Sequence, residues 1–481
     1  MSTAPRYFSN LGAQAAARVL MLLSTVVVMI ACARHLGVDA FGEFAYAMAF
    51  MALVGVIADA GTTAVLACEL PRHKSEHAAR AYLGNFLLVR IGLGAAASLI
   101  GTGGALLLSA HDHVTLLIAA LAAPFGTARF FDPLFQVFEQ PWRAIPVALG
   151  TSILYLGGSL AALFLLPSPI TGLIVVYGLS GLAHILLGLR NSHDLVRPEL
   201  RPDRNLLRAI AALAVPIGIS TIFSAANGRI GTILLAELDS ATSVGNFTAA
   251  AKLVELGAMV AMTLWAPLLP ILATAARAPN GLRTAARSLF ETIGVLGLPA
   301  VIVLWFIAPW LLHLLFGAAY GGAAEIAAIL VWQLMLLPFT LIGSAVLLSA
   351  GSLRVSYWLG IVATALNGAI NVALIPSLGP LATAIGAVAA EAAILIIIAA
   401  VIRRHVGKIL FLTAWGKIAI LNIGLYLLLA NPLLPNALLN GAVALVVYAL
   451  LAQIGGLVPH QHLRAILMRT SSPVLSGAPS R

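Results

Sequence analysis

Fourteen long apolar runs, separated by polar gaps too short to fold on their own, leave this chain one kind of solvent. A bilayer core about 30 Å thick is crossed by about 20 apolar residues in helix. Backbone groups in lipid must be satisfied within the segment, which makes each run a helix. The runs fall at approximately 11–33, 42–67, 82–109, 114–138, 144–166, 169–189, 207–235, 245–273, 285–312, 324–350, 355–376, 380–402, 411–430 and 437–457. Only 9% of the 481 residues are charged, where soluble chains carry about a quarter, so lipid surrounds most of the length. The reading is an all-α polytopic membrane protein of about 14 transmembrane helices. Arg18, residues 19–30 and Ala31-Cys32-Ala33 have the outline of a cleaved signal. The next apolar run starts near Phe41, however, and the first helix is expected to be retained.

The distribution of basic residues tests that count. Connections carrying Lys and Arg face the cytoplasm. The second connection carries Arg72, Lys74 and Arg80, the fourth Arg143, and the sixth Arg190, Arg197, Arg201, Arg204 and Arg208. The eighth carries Arg277, Arg283 and Arg287, the tenth Arg354, the twelfth Arg403, Arg404 and Lys408, and the tail Arg464, Arg469 and Arg481. The odd connections hold only Arg34. A miscounted helix would break this alternation, so both termini are expected in the cytoplasm. The formal charge of +10 is then a matter of topology, and no nucleic-acid partner is implied.

The longest polar connection, 190–208, divides the chain into two six-helix halves. Gly42-Glu43-Phe44-Ala45-Tyr46-Ala47 opens the second span and Gly245-Asn246-Phe247-Thr248-Ala249-Ala250 the eighth, both as G-x-F-x-x-A. Six is even, so both halves enter the membrane the same way. Two six-helix lobes related by a pseudo-twofold axis along the membrane normal follow, with a site between them. The domains read as 1–205, the first lobe; 206–402, the second lobe; and 403–481, two further helices and a cytoplasmic tail.

Ionisable residues deep in the spans are costly and often mark a pathway. The cations are Arg18, Arg90, Arg129, Arg229 and Lys252; the acids are Asp59, Asp132, Glu255 and Glu391. Several have plain structural readings. Arg129 and Asp132, three apart, can neutralise each other on one helix face. Arg90 can snorkel, and Glu391 fits a packing role. Arg18, Asp59, Arg229 and Lys252 differ, since they lie on the first two helices of each half and can face a central cleft. Arg18, Arg229 and Lys252 would line a positive path whose passenger is an anion, and guanidinium forks suit phosphate oxygens. Asp59 and Glu255 are either ion-coupling groups or counter-charges, with Lys252 and Glu255 spaced to pair. Arg90 and Arg129 are secondary candidates for the same cleft. Pro216, Pro267, Pro270, Pro299 and Pro338 interrupt spans and can bend them. His111-Asp112-His113 is a short turn without metal-ligand spacing. No catalytic motif, metal site or cofactor is expected.

Several segments, taken in order, have a family look. They are Ala33-Arg34-His35-Leu36-Gly37 with Phe41 to Ala47, Ile57-Ala58-Asp59-Ala60-Gly61, and Arg229 through Val244-Gly245-Asn246-Phe247 to Lys252-Leu253-Val254-Glu255. Leu315-Phe316-Gly317 with Tyr320, and Leu374-Ile375-Pro376 through Ile385-Gly386-Ala387 to Glu391, continue the series. This series resembles the Wzx-type polysaccharide-unit flippases of the multidrug/oligosaccharidyl-lipid/polysaccharide exporter superfamily. One departure stands out: many relatives carry an acid two residues after the arginine of the seventh helix, where this chain has Gly231. The resemblance implies movement of an undecaprenyl-pyrophosphate-linked oligosaccharide from the cytoplasmic to the outer leaflet of a bacterial inner membrane. It also implies a polysaccharide polymerase and export machinery as downstream partners. A lipid II flippase shares the cationic cleft and stays an alternative. A cation-coupled multidrug exporter would show acids in the first or seventh helix, and a membrane glycan polymerase or ligase a large outside loop; neither feature is present.

Overall fold

The computed structural model describes the backbone of residues 4–72, 76–108, 113–126, 129–265, 272, 274–275, 281–349, 353–405, 407, 412–431, 437–455 and 457. Side chains are described over the same stretches except 4–19, 76, 260–265, 353–357, 405, 412–414 and 437–438. Within them all regular structure is helical. The first lobe is built from α1 (Ala4–Asp59), α2 (Thr62–Glu69), α3 (Glu76–Leu107), α4 (His113–Gly126), α5 (Phe131–Val137), α6 (Ala144–Leu165) and α7 (Pro169–Ser192). The second comprises α8 (Arg204–Asn227), α9 (Ile230–Leu238), α10 (Ala241–Trp265), α11 (Gly281–Phe316), α12 (Ala323–Ser349), α13 (Leu353–Leu378) and α14 (Pro380–His405). Two more, α15 (Leu412–Ala430) and α16 (Ala437–Ile454), pack on each other and on α11.

Among the described residues ten helical stretches are long and apolar enough to span a bilayer. The first covers 53 residues; at 1.5 Å per residue that is about 80 Å, enough for two crossings. Gly37 (φ 78°, ψ 177°) separates them, a left-handed backbone that a residue without Cβ adopts freely. With the shorter apolar helices α15 and α16, and with α10, the passes come to fourteen. Leu107 and Ile454 are 86% and 82% exposed; such large apolar side chains on the outer surface fit lipid as the neighbour. Pro216, Pro299 and Pro338 lie inside α8, α11 and α12. Pro267, Pro270, His111 and Asp112 lie outside the described residues.

The repeated G-x-F-x-x-A segments form one of the contacts between the lobes. A Cβ on Gly42 would sit 1.9 Å from the carbonyl oxygen of Ala241, four residues before Gly245. A Cβ on Gly245 would sit 2.2 Å from the carbonyl oxygen of Val38, four residues before Gly42. The exchange of roles is what a twofold axis between α1 and α10 requires, and only glycine allows the backbones so close.

The connection between α7 and α8 is strapped to the first lobe. Arg143 clamps Asp194 with two bonds of 2.6 Å and donates to the Asn191 carbonyl at 2.5 Å. The Glu199 amide donates to the Arg80 carbonyl at 3.1 Å, and Asn85 holds the Arg201 carbonyl and the Asp203 amide. Asp203 then caps α8 by accepting from the Asn205 amide at 2.8 Å. The Arg143 guanidinium holds the Asp194 carboxyl down at about 2 from its ordinary 3.8. A depressed carboxyl contributes stability that is present above the unfolded pKa and lost as pH falls through the folded one. The melting-temperature difference between wild type and Asp194→Asn should therefore be constant above about pH 5 and shrink toward about pH 2. It should also be small, since solvent screens an exposed pair.

Candidate functional site

A cavity of about 660 Å³ lies between the lobes. Its second-lobe wall is set by a helix break. α8 ends at Asn227 and α9 begins at Ile230, which leaves the Asn227 carbonyl without a helical partner. Asn367 of α13 supplies one, its Nδ2 donating to Asn227 O at 3.0 Å and to Asn227 Oδ1 at 3.1 Å. Asn371, one turn on, donates to Asn367 O and Oδ1, both at 2.8 Å. The break presents Arg229 to the cavity. On α10, Lys252 Nζ and Glu255 Oε2 are 2.6 Å apart, and both residues line the same space. Glu255 also feels the charge of Arg229.

Gly231 is packed against α14. A Cβ there would lie 2.5 Å from Thr383 Cγ2 and 3.6 Å from Asn371 Oδ1. No carboxylate stands at this point, and a side chain would have to displace Thr383. Asn371 Oδ1 and Thr383 Oγ1 are buried without a protein partner.

Arg129 is, among the described residues, the first lobe's cation in the cavity. Among the described residues its Nη1 lies 3.6 Å from Met21 Sδ, and no ion pair joins it to Asp132. Pairing at that spacing needs one continuous helix, whereas Arg129 and Phe130 stand before α5, outside any helix. Tyr155, Tyr177, Gln333 and Thr248 are among the other polar residues that line the cavity. Aromatic and amide residues in apolar helices are ordinary core residues, so sequence reasoning passed over them. Only the four-residue spacing of Asn367 and Asn371 hinted at a shared face.

Asp59 and Arg90 lie away from the cavity. The Asp59 carboxylate accepts from Arg90, from the Thr63 hydroxyl and from the Gly61 amide. Arg90 also donates to Thr62 Oγ1 at 2.9 Å and lies 5.9 Å from the Phe130 ring centroid. Arg90 is thus buried and paired rather than snorkelling, and Asp59 is its counter-charge. The side chain of Arg18 lies outside the described residues. Glu391 accepts from the Thr340 hydroxyl inside the second lobe.

On the arginine-poor face, hydrogen bonds join the lobes. Arg34 donates to the carbonyls of Leu314 and Leu315 at the end of α11, and Tyr320 Oη to the Ala33 carbonyl at 2.8 Å. Thr242 donates to Asp39, and Tyr46 Oη to Glu237 at 2.7 Å.

The polysaccharide biosynthesis protein family matches residues 9–276. No curated protein matches the chain in sequence. Among solved structures, the lipid II flippase MurJ in its inward closed conformation is similar, with a TM-score of 0.74 at 13% identity over 92% of this chain and 98% of that one. An inward-facing multidrug resistance transporter of the MATE family, of the MOP superfamily, has a TM-score of 0.58 at 16% identity over 83% and 95%. A MATE transporter of Vibrio cholerae in the bent form has 0.53 at 16% over 84% and 97%. At such identities the likeness carries the fold: two six-helix lobes and, here, two added helices.

Proposed function

We propose that this chain, which belongs to the polysaccharide biosynthesis protein family, is a flippase for a lipid-linked oligosaccharide. Its cargo is an undecaprenyl-pyrophosphate-linked unit, carried from the cytoplasmic to the outer leaflet of a bacterial inner membrane. The polysaccharide made from it is an O-antigen, capsule or exopolysaccharide. Both termini lie in the cytoplasm, and a polymerase and export machinery take up the product.

The observation that carries this reading is the charge of the cavity, where, among the described residues, Arg129, Arg229 and Lys252 stand against one acid, Glu255. Bare hydrocarbon costs a polar head group several kcal/mol for each unpaired group. Arg229 and Lys252 offset that cost for the pyrophosphate, while the prenyl tail stays in lipid. Guanidinium and ammonium groups bind phosphate oxygens more strongly in a poorly hydrated cleft. A net cationic cavity is a poor host for a cationic drug, which separates this reading from a multidrug exporter. Opening requires the Arg34, Tyr320, Thr242 and Tyr46 bonds to part while the other side closes, so the head group never meets lipid. No bond of the cargo is made or broken.

Cells carrying Arg229→Ala or Lys252→Ala, with Arg18→Ala beside them, test the proposal once insertion is verified. A hydrogen bond to a charged group is worth about 1.5–3 kcal/mol, so export should fall about tenfold or more per substitution. The undecaprenyl-linked unit should build up on the cytoplasmic side. Unchanged surface polysaccharide and unchanged lipid intermediates in all three would overturn the path. Accumulation of a peptidoglycan precursor instead would assign the protein to lipid II.

A further inference from the structure

The two walls of the cavity differ in chemistry. The second-lobe wall holds Arg229 and the Lys252–Glu255 pair. The first-lobe wall holds Tyr155 of α6 and Tyr177 of α7, whose rings meet edge to face with centroids 5.9 Å apart and planes at 82°. Space is cut for this pair, since a Cβ on Gly126 would fall 2.4 Å from Tyr177 Cε1. Neither phenol hydroxyl has a protein partner among the described residues. Arg129 lines the same side, and no carboxylate among the described residues pairs with it.

We propose that the Tyr155–Tyr177 wall is a saccharide subsite, which holds the sugar next to the pyrophosphate while the second-lobe cations hold the pyrophosphate itself. A pyranose has a face of C–H groups, weakly positive, which suits the negative face of an aromatic ring. Its rim of hydroxyls needs both donors and acceptors. Two unpartnered phenols and a guanidinium supply them. A prenyl chain would leave all three unmet, and a second phosphate would use Arg129 but gain nothing from the rings. A cavity of about 660 Å³ is in the range of sites that enclose a whole small ligand, so a head group and a sugar fit together. The inference rests on the anion-cleft reading and adds to it a division of labour: the second lobe reads the charge common to all lipid pyrophosphates, and the first lobe reads the sugar.

The test is binding to the purified full chain in lipid nanodiscs, measured by titration calorimetry with two probes. One is farnesyl pyrophosphate; the other is farnesyl pyrophosphate bearing N-acetylglucosamine. Wild type should bind the sugar-bearing probe more tightly. Tyr155→Leu and Tyr177→Leu should each lower that preference about three- to tenfold and leave the affinity for farnesyl pyrophosphate unchanged, which also reports an intact fold. Tyr155→Phe and Tyr177→Phe, which keep the rings, should retain most of the preference. Arg229→Ala should weaken both probes alike. Leucine variants that keep the full preference, or that weaken both probes equally, would overturn the subsite. Wild type that binds farnesyl pyrophosphate without any preference for the sugar would also overturn it, with the anion cleft left standing. Wild type that binds neither probe would overturn both.

Discussion

A Gly42→Ala/Gly245→Ala double variant is expected to insert into the membrane and export no polysaccharide. Each new methyl would lie about 2 Å from a carbonyl oxygen of the other lobe, and backbone cannot rotate aside as a side chain can. Overpacking costs about 1–3 kcal/mol per site, and the two sites add across one interface, so the lobes should separate on the arginine-poor face. A cysteine at Thr248, which lines the cavity, reports this in a background with the exposed Cys68 replaced by Ser. Its labelling by an impermeant thiol reagent from that face should be slow with native glycines and fast in the double variant. Slow labelling together with normal export would mean that the glycine contact is dispensable. The variant differs in kind from loss of Arg229, which should leave labelling unchanged because it removes a ligand for the cargo and no contact between the lobes.

The glycine contact also shows what could be read in the chain before its structure was in view. Burial in lipid leaves a period and a length that survive any error in detail, and the alternation of arginines across connections checks the count independently. The G-x-F-x-x-A echo pointed to the halves, and its two glycines prove to be the reciprocal contact at the axis. Pairing between helices was less legible. An acid in an apolar run has several cations within reach of the imagination, and sequence spacing does not choose among them. Asp59 was equally compatible with an ion site and with holding Arg18, Arg229 or Lys252; it meets Arg90 of α3. The Arg129–Asp132 spacing suggested a pair, but Arg129 and Phe130 stand outside the helix that begins at Phe131. The break at 227–229 is held by the bonds from Asn367 to Asn227, tertiary contacts that leave no periodic trace. Lys252 and Glu255 share one helix, and there the three-residue spacing was sufficient.

Asp59→Asn should lose most of the folded protein, and Arg90→Met on the same chain should restore it. The Arg90 and Asp59 side chains are only 8% and 21% exposed. Removal of one partner of a buried pair leaves an uncompensated charge and costs about 3–5 kcal/mol, whereas apolar replacement of both charges is often close to neutral. Asp59 has a second duty. Its carboxylate accepts from the Gly61 amide and the Thr63 hydroxyl, fixing a break at which Ala60 (φ 41°) and Gly61 (φ 76°) are both left-handed. For alanine that conformation costs about 1–2 kcal/mol. Asparagine keeps one oxygen, which can accept from the Gly61 amide, and its Nδ2 can donate to the Thr63 hydroxyl, which then accepts, so the predicted loss in the single variant comes from the stranded guanidinium. Detergent-solubilised yield and melting temperature measure it. Export by the double variant then separates the two roles that sequence left open. A double variant that folds and exports as wild type makes Asp59 a counter-charge and nothing more. One that folds normally but exports nothing would mean that the pair works during transport, and that a proton or ion passing through Asp59 drives the lobes even though the carboxylate stands outside the cavity.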